Sequence, residues 1–171
     1  VWTFDEFKET LARAGVTNAV TPHVSKAEDA APSWKLPIGF LFIDGAHEYE
    51  AVKKDFDLWS PFVVDGGVIA FHDTTPALGA ILRGIPLHGL PGPRRVIEES
   101  IFPSKNFTNV GVVGSIVYAT KQAAAPAMAS SVSRRLAHAS MMIRYAAYWF
   151  YPRLTAWPGP VKTFVKRLFI H

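Results

Sequence analysis

Four side chains able to bind a metal ion or move a proton fall in two short clusters. Asp44-Gly45-Ala46-His47-Glu48-Tyr49 follows the apolar run Phe40 to Ile43, and Gly66-Gly67-Val68-Ile69-Ala70-Phe71 runs into His72-Asp73. Each cluster has the same form, a buried-strand pattern that ends on polar side chains. In parallel α/β sheets ligands sit at the carboxyl ends of the strands. Asp44, His47, His72 and Asp73 are therefore expected around one cleft. Two carboxylates are hard oxygen donors of the kind Mg²⁺ prefers. His72 is either a third ligand, which shifts preference toward Mn²⁺ or another transition ion, or a support behind the ligands. Thr74 offers a weaker oxygen. His47 suits a proton acceptor, because an imidazole titrates near neutral pH. The plainer alternatives stand beside these: Asp44 and Asp73 as turn or cap residues, and His47 as a helix-start residue bonded to Glu50.

The elements that must position these groups read as an α/β pattern. Thr3 to Ala14 is expected to be a helix, with a capping-box pair at Thr3 and Glu6, an apolar stripe at Phe4, Phe7, Leu11 and Ala14, and a stop at Gly15. Ala19 to Val24 reads as a short strand and Ser25 to Trp34 as a polar connection. Ile38 to Ile43 is a continuous apolar run, the pattern of a strand covered on both faces. Tyr49 to Trp59 is a helix on the stripe Tyr49, Val52, Phe56 and Trp59. Asp65-Gly66-Gly67 reads as a turn before a strand at Val68 to Phe71. Helix, strand, helix, strand predicts a parallel sheet with right-handed crossovers.

Beyond the second cluster, Thr74 to Asn106 is rich in Pro and Gly and reads as one long loop. It either covers a substrate, with His88, Arg94 and Arg95 facing it, or is a solvated connection. Phe107 to Val113 and Ser115 to Thr120 are two strands joined near Gly114, Ala123 to Ala129 is a linker, and Ser131 to Tyr151 is a long helix before a basic, aromatic end at Pro152 to His171. The expected division is a domain over 1–122 and a helical extension over 123–171.

Composition narrows the class. With 171 residues and 49% hydrophobic content the chain suits a folded domain, not a disordered one. It has no cysteine, which excludes thiolate metal sites and thiol nucleophiles and fits a cytoplasmic setting. It opens on Val1, and its true beginning is expected upstream. All 14 acidic residues lie before position 100, giving −5 there and +9 after it. The long helix carries Val132, Leu136, Ala139, Ile143, Ala147 and Phe150 along one side, with Arg134, Arg135, Arg144 and Arg153 nearby. It is expected to pack or pair with a second copy, or to lie on an anionic membrane surface. Nucleic-acid binding is not expected, since no recognition motif accompanies the charge.

The stretch Leu36 to Asp73 resembles the class I S-adenosylmethionine-dependent methyltransferases, and more narrowly the metal-dependent small-molecule O-methyltransferases, a group with macrolide-sugar methyltransferases and cephalosporin-hydroxylase-like proteins. The matching text is Phe42-Ile43-Asp44-Gly45-Ala46-His47-Glu48-Tyr49, Asp55 and Trp59, then Gly66 to Asp73. The resemblance implies the carboxyl-terminal portion of a Rossmann-like methyltransferase sheet, parallel strands plus a terminal hairpin, followed by the long helix. It implies O-methyl transfer to a small hydroxylated acceptor such as a sugar or glycoside. Asp44 and Asp73 would hold a divalent ion such as Mg²⁺ with His72, His47 and Asp44 would be catalytic, and Ser25, Lys26, Ala27 and Asp44 would meet S-adenosylmethionine. The Gly-rich turn and ribose-binding acid of the family are not in this sequence, which has no G-x-G. Two other readings are carried: a non-catalytic domain that acts through its basic tail, and a metal-dependent hydrolase.

Overall fold

The computed structural model describes residues 3–76, 91–122 and 127–155, with side chains at 127–130 and 151–155 left aside. It divides into two units, Val1–Trp34 and Lys35–His171.

In the first unit α1 spans Thr3–Ala14 as expected. It ends where Gly15 turns to φ +68, a conformation glycine adopts without cost, and the Gly15 and Val16 amides close on Ala12 and Leu11 carbonyls. The expected strand at Ala19–Val24 does not form. A short helical turn takes Thr17–Ala19, and the residues after it run without strand pairing. The physical reason is that no strand among the described residues pairs with this segment, since a strand is stable only within a paired ladder. Lys26 then precedes the one-turn helix α2, Ala27–Ala30.

The second unit holds a four-stranded sheet: β1 (Ile38–Ile43), β2 (Val63–Phe71), β3 (Phe107–Val113) and β4 (Ile116–Lys121), in the order β1-β2-β4-β3. β1 and β2 are parallel, with Phe40 opposite Val68 and Ile43 opposite Phe71. β4 runs antiparallel to β2, and β3 and β4 form the expected hairpin about Gly114, at φ +60. The expected turn at Asp65-Gly66-Gly67 is instead part of β2. The register there jumps from Ile38/Val63 to Phe40/Val68, so the extra residues bulge out of the ladder, with Gly66 at φ +81.

β2 is the middle of this core. Ile69, Ala70 and Phe71 are all buried, so both faces of the strand are covered. Fully burying residues such as Ile69 and Phe71 contributes about 1.5–3 kcal/mol each. β1 departs from the expectation of a strand covered on both faces: Ile43 is buried, but Phe40 is 63% exposed and Phe42 44%. β1 is the edge of the described sheet, and the two rings stack on each other 6.3 Å apart.

Two helices cover the buried face. α3 (Tyr49–Trp59) has the predicted bounds and buries Val52 and Phe56. The second, α4 (Pro91–Ser100), lies where a structureless loop was expected. Its prolines, read as breakers, sit in the first turn, where a missing N–H costs nothing. Val96 and Ile97 bury fully, and Arg94–Glu98 and Arg95–Glu99 pair one turn apart. α5 (Ala127–Thr155) starts inside the expected linker, because alanines propagate a helix well. It packs on β3 and buries Ala137 and Met141 in the same core. Its expected apolar stripe faces the other way: Val132, Leu136 and Ile143 are exposed, the last by 68%.

Candidate metal and proton-transfer site

The parallel pairing of Ile43 with Phe71 brings the ends of β1 and β2 side by side. Asp44 follows the first strand and His72-Asp73 the second. The two imidazoles bracket one carboxylate oxygen: His47 Nε2 lies 3.0 Å from Asp73 Oδ2, and His72 Nδ1 lies 3.3 Å from the same atom. His72 Nδ1 is also 3.1 Å from Asp44 Oδ1. Asp44, His47 and Asp73 can each turn one donor atom into a common space, all within 4.8 Å of one another. His47 therefore meets Asp73, not Glu50.

These side chains are aimed by backbone contacts. The His72 amide donates to the Ile43 carbonyl, which locks the two strand ends together, and the His72 ring stands edge-on to Phe42. His72 Nε2 lies 3.1 Å from Ser115 Oγ in the β3–β4 turn. The Thr74 amide and hydroxyl both donate to the Ser115 carbonyl, at 3.0 and 2.8 Å. Thr74 is wholly buried, so its hydroxyl is a structural tie. The loop carrying His47 is backed by α4. A Cβ placed on Gly92 would overlap the His47 carbonyl and lie 2.7 Å from the Tyr49 amide, so only glycine lets the helix approach.

Tyr49 anchors the start of α3 to the same helix. Its hydroxyl donates to Glu99 Oε2 at 2.6 Å, and the Arg95 guanidinium lies 4.0 Å over its ring. That hydrogen bond and the one from Arg95 hold the Glu99 carboxyl below its ordinary range, and the bond to Glu99 holds the Tyr49 phenol above its own against the opposing charge of Arg95. Arg94 lies 4.2 Å from the centre of the Tyr145 ring. Both arginines expected to face substrate thus have partners within the chain, and His88 lies outside the described residues. Burial pushes the Tyr145 phenol up to about 12.

The donor set fits a divalent cation. Two carboxylates supply charge and hard oxygen, and an imidazole completes a cluster from three sequence positions on two strand ends. The Nδ1 atom of His72 points the same way. It is buried and has no well-aligned hydrogen-bond partner, although two carboxylates lie close. A cavity of about 300 Å³ lies elsewhere, between Phe56, Ser60, Phe107 and Lys121, and shares no lining residue with this cluster. Its Lys121 amine is already bound by the Ser60 carbonyl at 2.9 Å.

Ser25, Lys26 and Ala27 belong to the first unit, where the Ser25 amide bonds the His23 carbonyl and Lys26 precedes α2. Gly92, Ser115 and Tyr145 are site-supporting residues that the sequence did not single out. A glycine set between two prolines, Pro91 and Pro93, is the one local signal that could have marked any of them.

Residues 2–74 match the family model described as a methyltransferase domain. That stretch includes Asp44–His47 and His72–Asp73, which carry the resemblance to methyltransferases. Among solved structures the chain is similar to the MycE methyltransferase from the mycinamycin biosynthetic pathway in complex with Mg, SAH and mycinamycin VI, at 17% identity and TM-score 0.37 over 63% of this chain and 33% of that one. It is also similar to the same enzyme in complex with Mg and SAH, at 16% identity and TM-score 0.37, over 60% of this chain and 32% of that one. The chain spans about a third of the length of these structures.

Proposed function

We propose that this chain carries the hydroxyl-activating half of an S-adenosylmethionine-dependent O-methyltransferase that works with a divalent ion on a small hydroxylated acceptor, such as a sugar or a natural-product glycoside. The observation that supports this most is the convergence of Asp44, His47 and Asp73 at the ends of two adjacent parallel strands. Asp44 and Asp73 would hold the ion, with His72 Nδ1 beside both. When bound, the ion lowers the pKa of the acceptor hydroxyl and fixes its orientation. His47 is the base. Its Nε2 faces Asp73, so a proton kept on Nε2 leaves the Nδ1 lone pair to take the hydroxyl proton. The Asp73 carboxylate then offsets the charge that forms on the ring.

For the cofactor, Ser25, Lys26 and Ala27 are assigned to the adenine side and Asp44 to the reacting end. No G-x-G turn is present for the methionine end, so these residues by themselves do not hold the whole cofactor. Titration calorimetry on the 171-residue chain tests the reading. One divalent ion is expected to bind, and Asp44→Ala and Asp73→Ala should each abolish it. Undiminished binding in both variants would remove the assignment. S-adenosylmethionine is expected to bind weakly or not at all, because a small partial site rarely repays an association cost of about 4–15 kcal/mol.

One observation favours a second role for α5. Its packed face carries Ala137 and Met141, while Leu136, Ile143 and Trp149 are exposed on a segment with no acidic residue after Glu99. An acid-free basic region with an apolar stripe repels a second copy of itself and suits an anionic lipid surface. No helix among the described residues is long and apolar enough to cross a membrane. Sedimentation with phosphatidylserine vesicles should carry the chain down, and Leu136→Ser with Ile143→Ser should leave it in the supernatant. Equal partition of both would end this reading.

A further inference from the structure

Asp73 sits at φ +49, in the left-handed region that residues with a Cβ rarely occupy. Such a backbone persists only where its surroundings impose it. Here the peptide is tied on both sides. Before Asp73, the His72 amide donates to the Ile43 carbonyl, and the His72 ring meets Ser115 Oγ. After it, the Thr74 amide and hydroxyl donate to the Ser115 carbonyl. The two remaining ties come from α5. The Tyr145 hydroxyl donates to the Thr74 carbonyl at 3.1 Å, and Arg144, its neighbour, donates from Nη1 to the Gly114 carbonyl at 2.6 Å.

We propose that Tyr145 and Arg144 of α5, with Ser115 as the relay, are positioning residues that hold Asp73 in its strained, site-facing conformation. This rests on the reading of Asp44, His47 and Asp73 as the metal and proton-transfer cluster. Adjacent residues on one helix grip both halves of a stitched pair: the carbonyl that follows Asp73 and the carbonyl that precedes Ser115. Removing one grip lets the Thr74 peptide turn, and Asp73 can then relax to an ordinary φ with its carboxylate swung away from Asp44 and His47. Tyr145 is itself fixed, under the Arg94 guanidinium that Glu98 holds at 2.8 Å. Burial keeps its phenol protonated up to about 12, so it remains a donor at any pH at which the site would work. None of these residues lies within the motif stretch that carries the family resemblance. The long helix is thereby part of the site's machinery and not an appendage to it.

The test is amide hydrogen exchange together with Mn²⁺ titration, on the unaltered chain, Tyr145→Phe, Ser115→Ala and a control. The control is Arg134→Met, on the same helix, whose guanidinium binds the Phe102 and Ser104 carbonyls away from the site. Tyr145→Phe should speed exchange at the Thr74 amide at least tenfold, leave Ile69 and Val117 unchanged, and raise the Mn²⁺ dissociation constant about tenfold. Ser115→Ala keeps the carbonyl that protects Thr74 and should weaken only Mn²⁺ binding. Arg134→Met should do neither. Unchanged Thr74 exchange in Tyr145→Phe, or the same change in Arg134→Met, would overturn the proposal. An unaltered chain that binds no Mn²⁺ would instead overturn the metal reading, and the exchange data would still decide whether α5 holds Asp73.

Discussion

Gly92→Ala is the sharpest test of how α4 supports the site. A Cβ at position 92 would overlap the His47 carbonyl oxygen and lie 2.7 Å from the Tyr49 amide nitrogen and 2.8 Å from the Glu48 carbonyl carbon. All three are backbone atoms, so no rotamer change relieves the contact. Helix and loop must part by roughly 1 Å, because packed interiors have no slack to absorb it. Overpacking of this kind costs about 1–3 kcal/mol, offset by about 0.5–1 kcal/mol from the lower chain entropy of alanine in the unfolded state. The net cost is about 0–2.5 kcal/mol, and at about 2–4 °C per kcal/mol for a chain of this size the melting temperature should fall by up to roughly 10 °C. The functional loss should be larger. The His47–Asp73 contact of 3.0 Å would stretch past hydrogen-bond range, and a 1 Å misplacement of a reacting group costs about 10² in rate. Gly39→Ala is the control, since nothing lies within 4 Å of its Cβ. Differential scanning calorimetry reads the stability, and Mn²⁺ titration reads the cluster. If Gly92→Ala melts with Gly39→Ala and binds Mn²⁺ as the unaltered chain does, the contact between α4 and the His47 loop is not what holds the base.

Other expectations follow from the same geometry. In an assembly that binds cofactor, Asp44→Ala or Asp73→Ala should abolish metal-stimulated methyl transfer with little change in melting, and activity that persists in chelator would argue against the ion. His47→Ala should lower turnover by about 10²–10⁴ while substrate affinity holds, and a loss under about threefold would return His47 to a structural role. Tyr145 has a folded pKa raised from 10.0 to about 12, so its contribution is complete below pH 10 and is lost as pH climbs toward 12. Urea midpoints across that window should fall less steeply for Tyr145→Phe than for the unaltered chain. Glu99, held low by Tyr49 and Arg95, stabilises above its ordinary range and loses that effect in acid, so Glu99→Gln should flatten the acid side of the same curve.

The parts of the fold that depend on local pattern were legible. Ile38–Ile43, Tyr49–Trp59 and the hairpin about Gly114 stand where hydrophobic period and glycine placement put them. The failures share one cause, which is that tertiary contact decided the outcome. Pro91 and Pro93 look like breakers in isolation but serve as the first turn of a helix that buries Val96 and Ile97. Ala19 to Val24 was expected as a strand, but no strand among the described residues pairs with it. The apolar run of β1 cannot reveal that Phe40 and Phe42 stand on an uncovered face. Within the site, residue types alone drew attention to Asp44, His47, His72 and Asp73. That His47 meets Asp73 instead of Glu50 follows from the positive φ at Asp73 and the parallel register, neither of which a single sequence displays. Ser115 and Tyr145 act across 41 and 71 positions, and no pattern at either end announces the other.

The bulge in β2 has a consequence for how this protein could change its length without losing its chemistry. Pairing is continuous from Phe40/Val68 to Ile43/Phe71, and the irregularity is confined to the stretch before it. The Gly66–Gly67 segment behaves as an expansion joint. Residues gained or lost between Val63 and Gly67 alter the size of the loop-out while the far ends of the two strands stay matched. A single deletion after Val68 has no such refuge. It slides one strand end by about 3.3 Å against the other and turns every later side chain to the opposite face. Asp44 and Asp73 would then no longer share a space, and Phe71 would leave the core. Tolerance to insertion should therefore switch from permissive to forbidden within a residue or two of Val68, a boundary that a scan of one-residue insertions along β2 would locate directly.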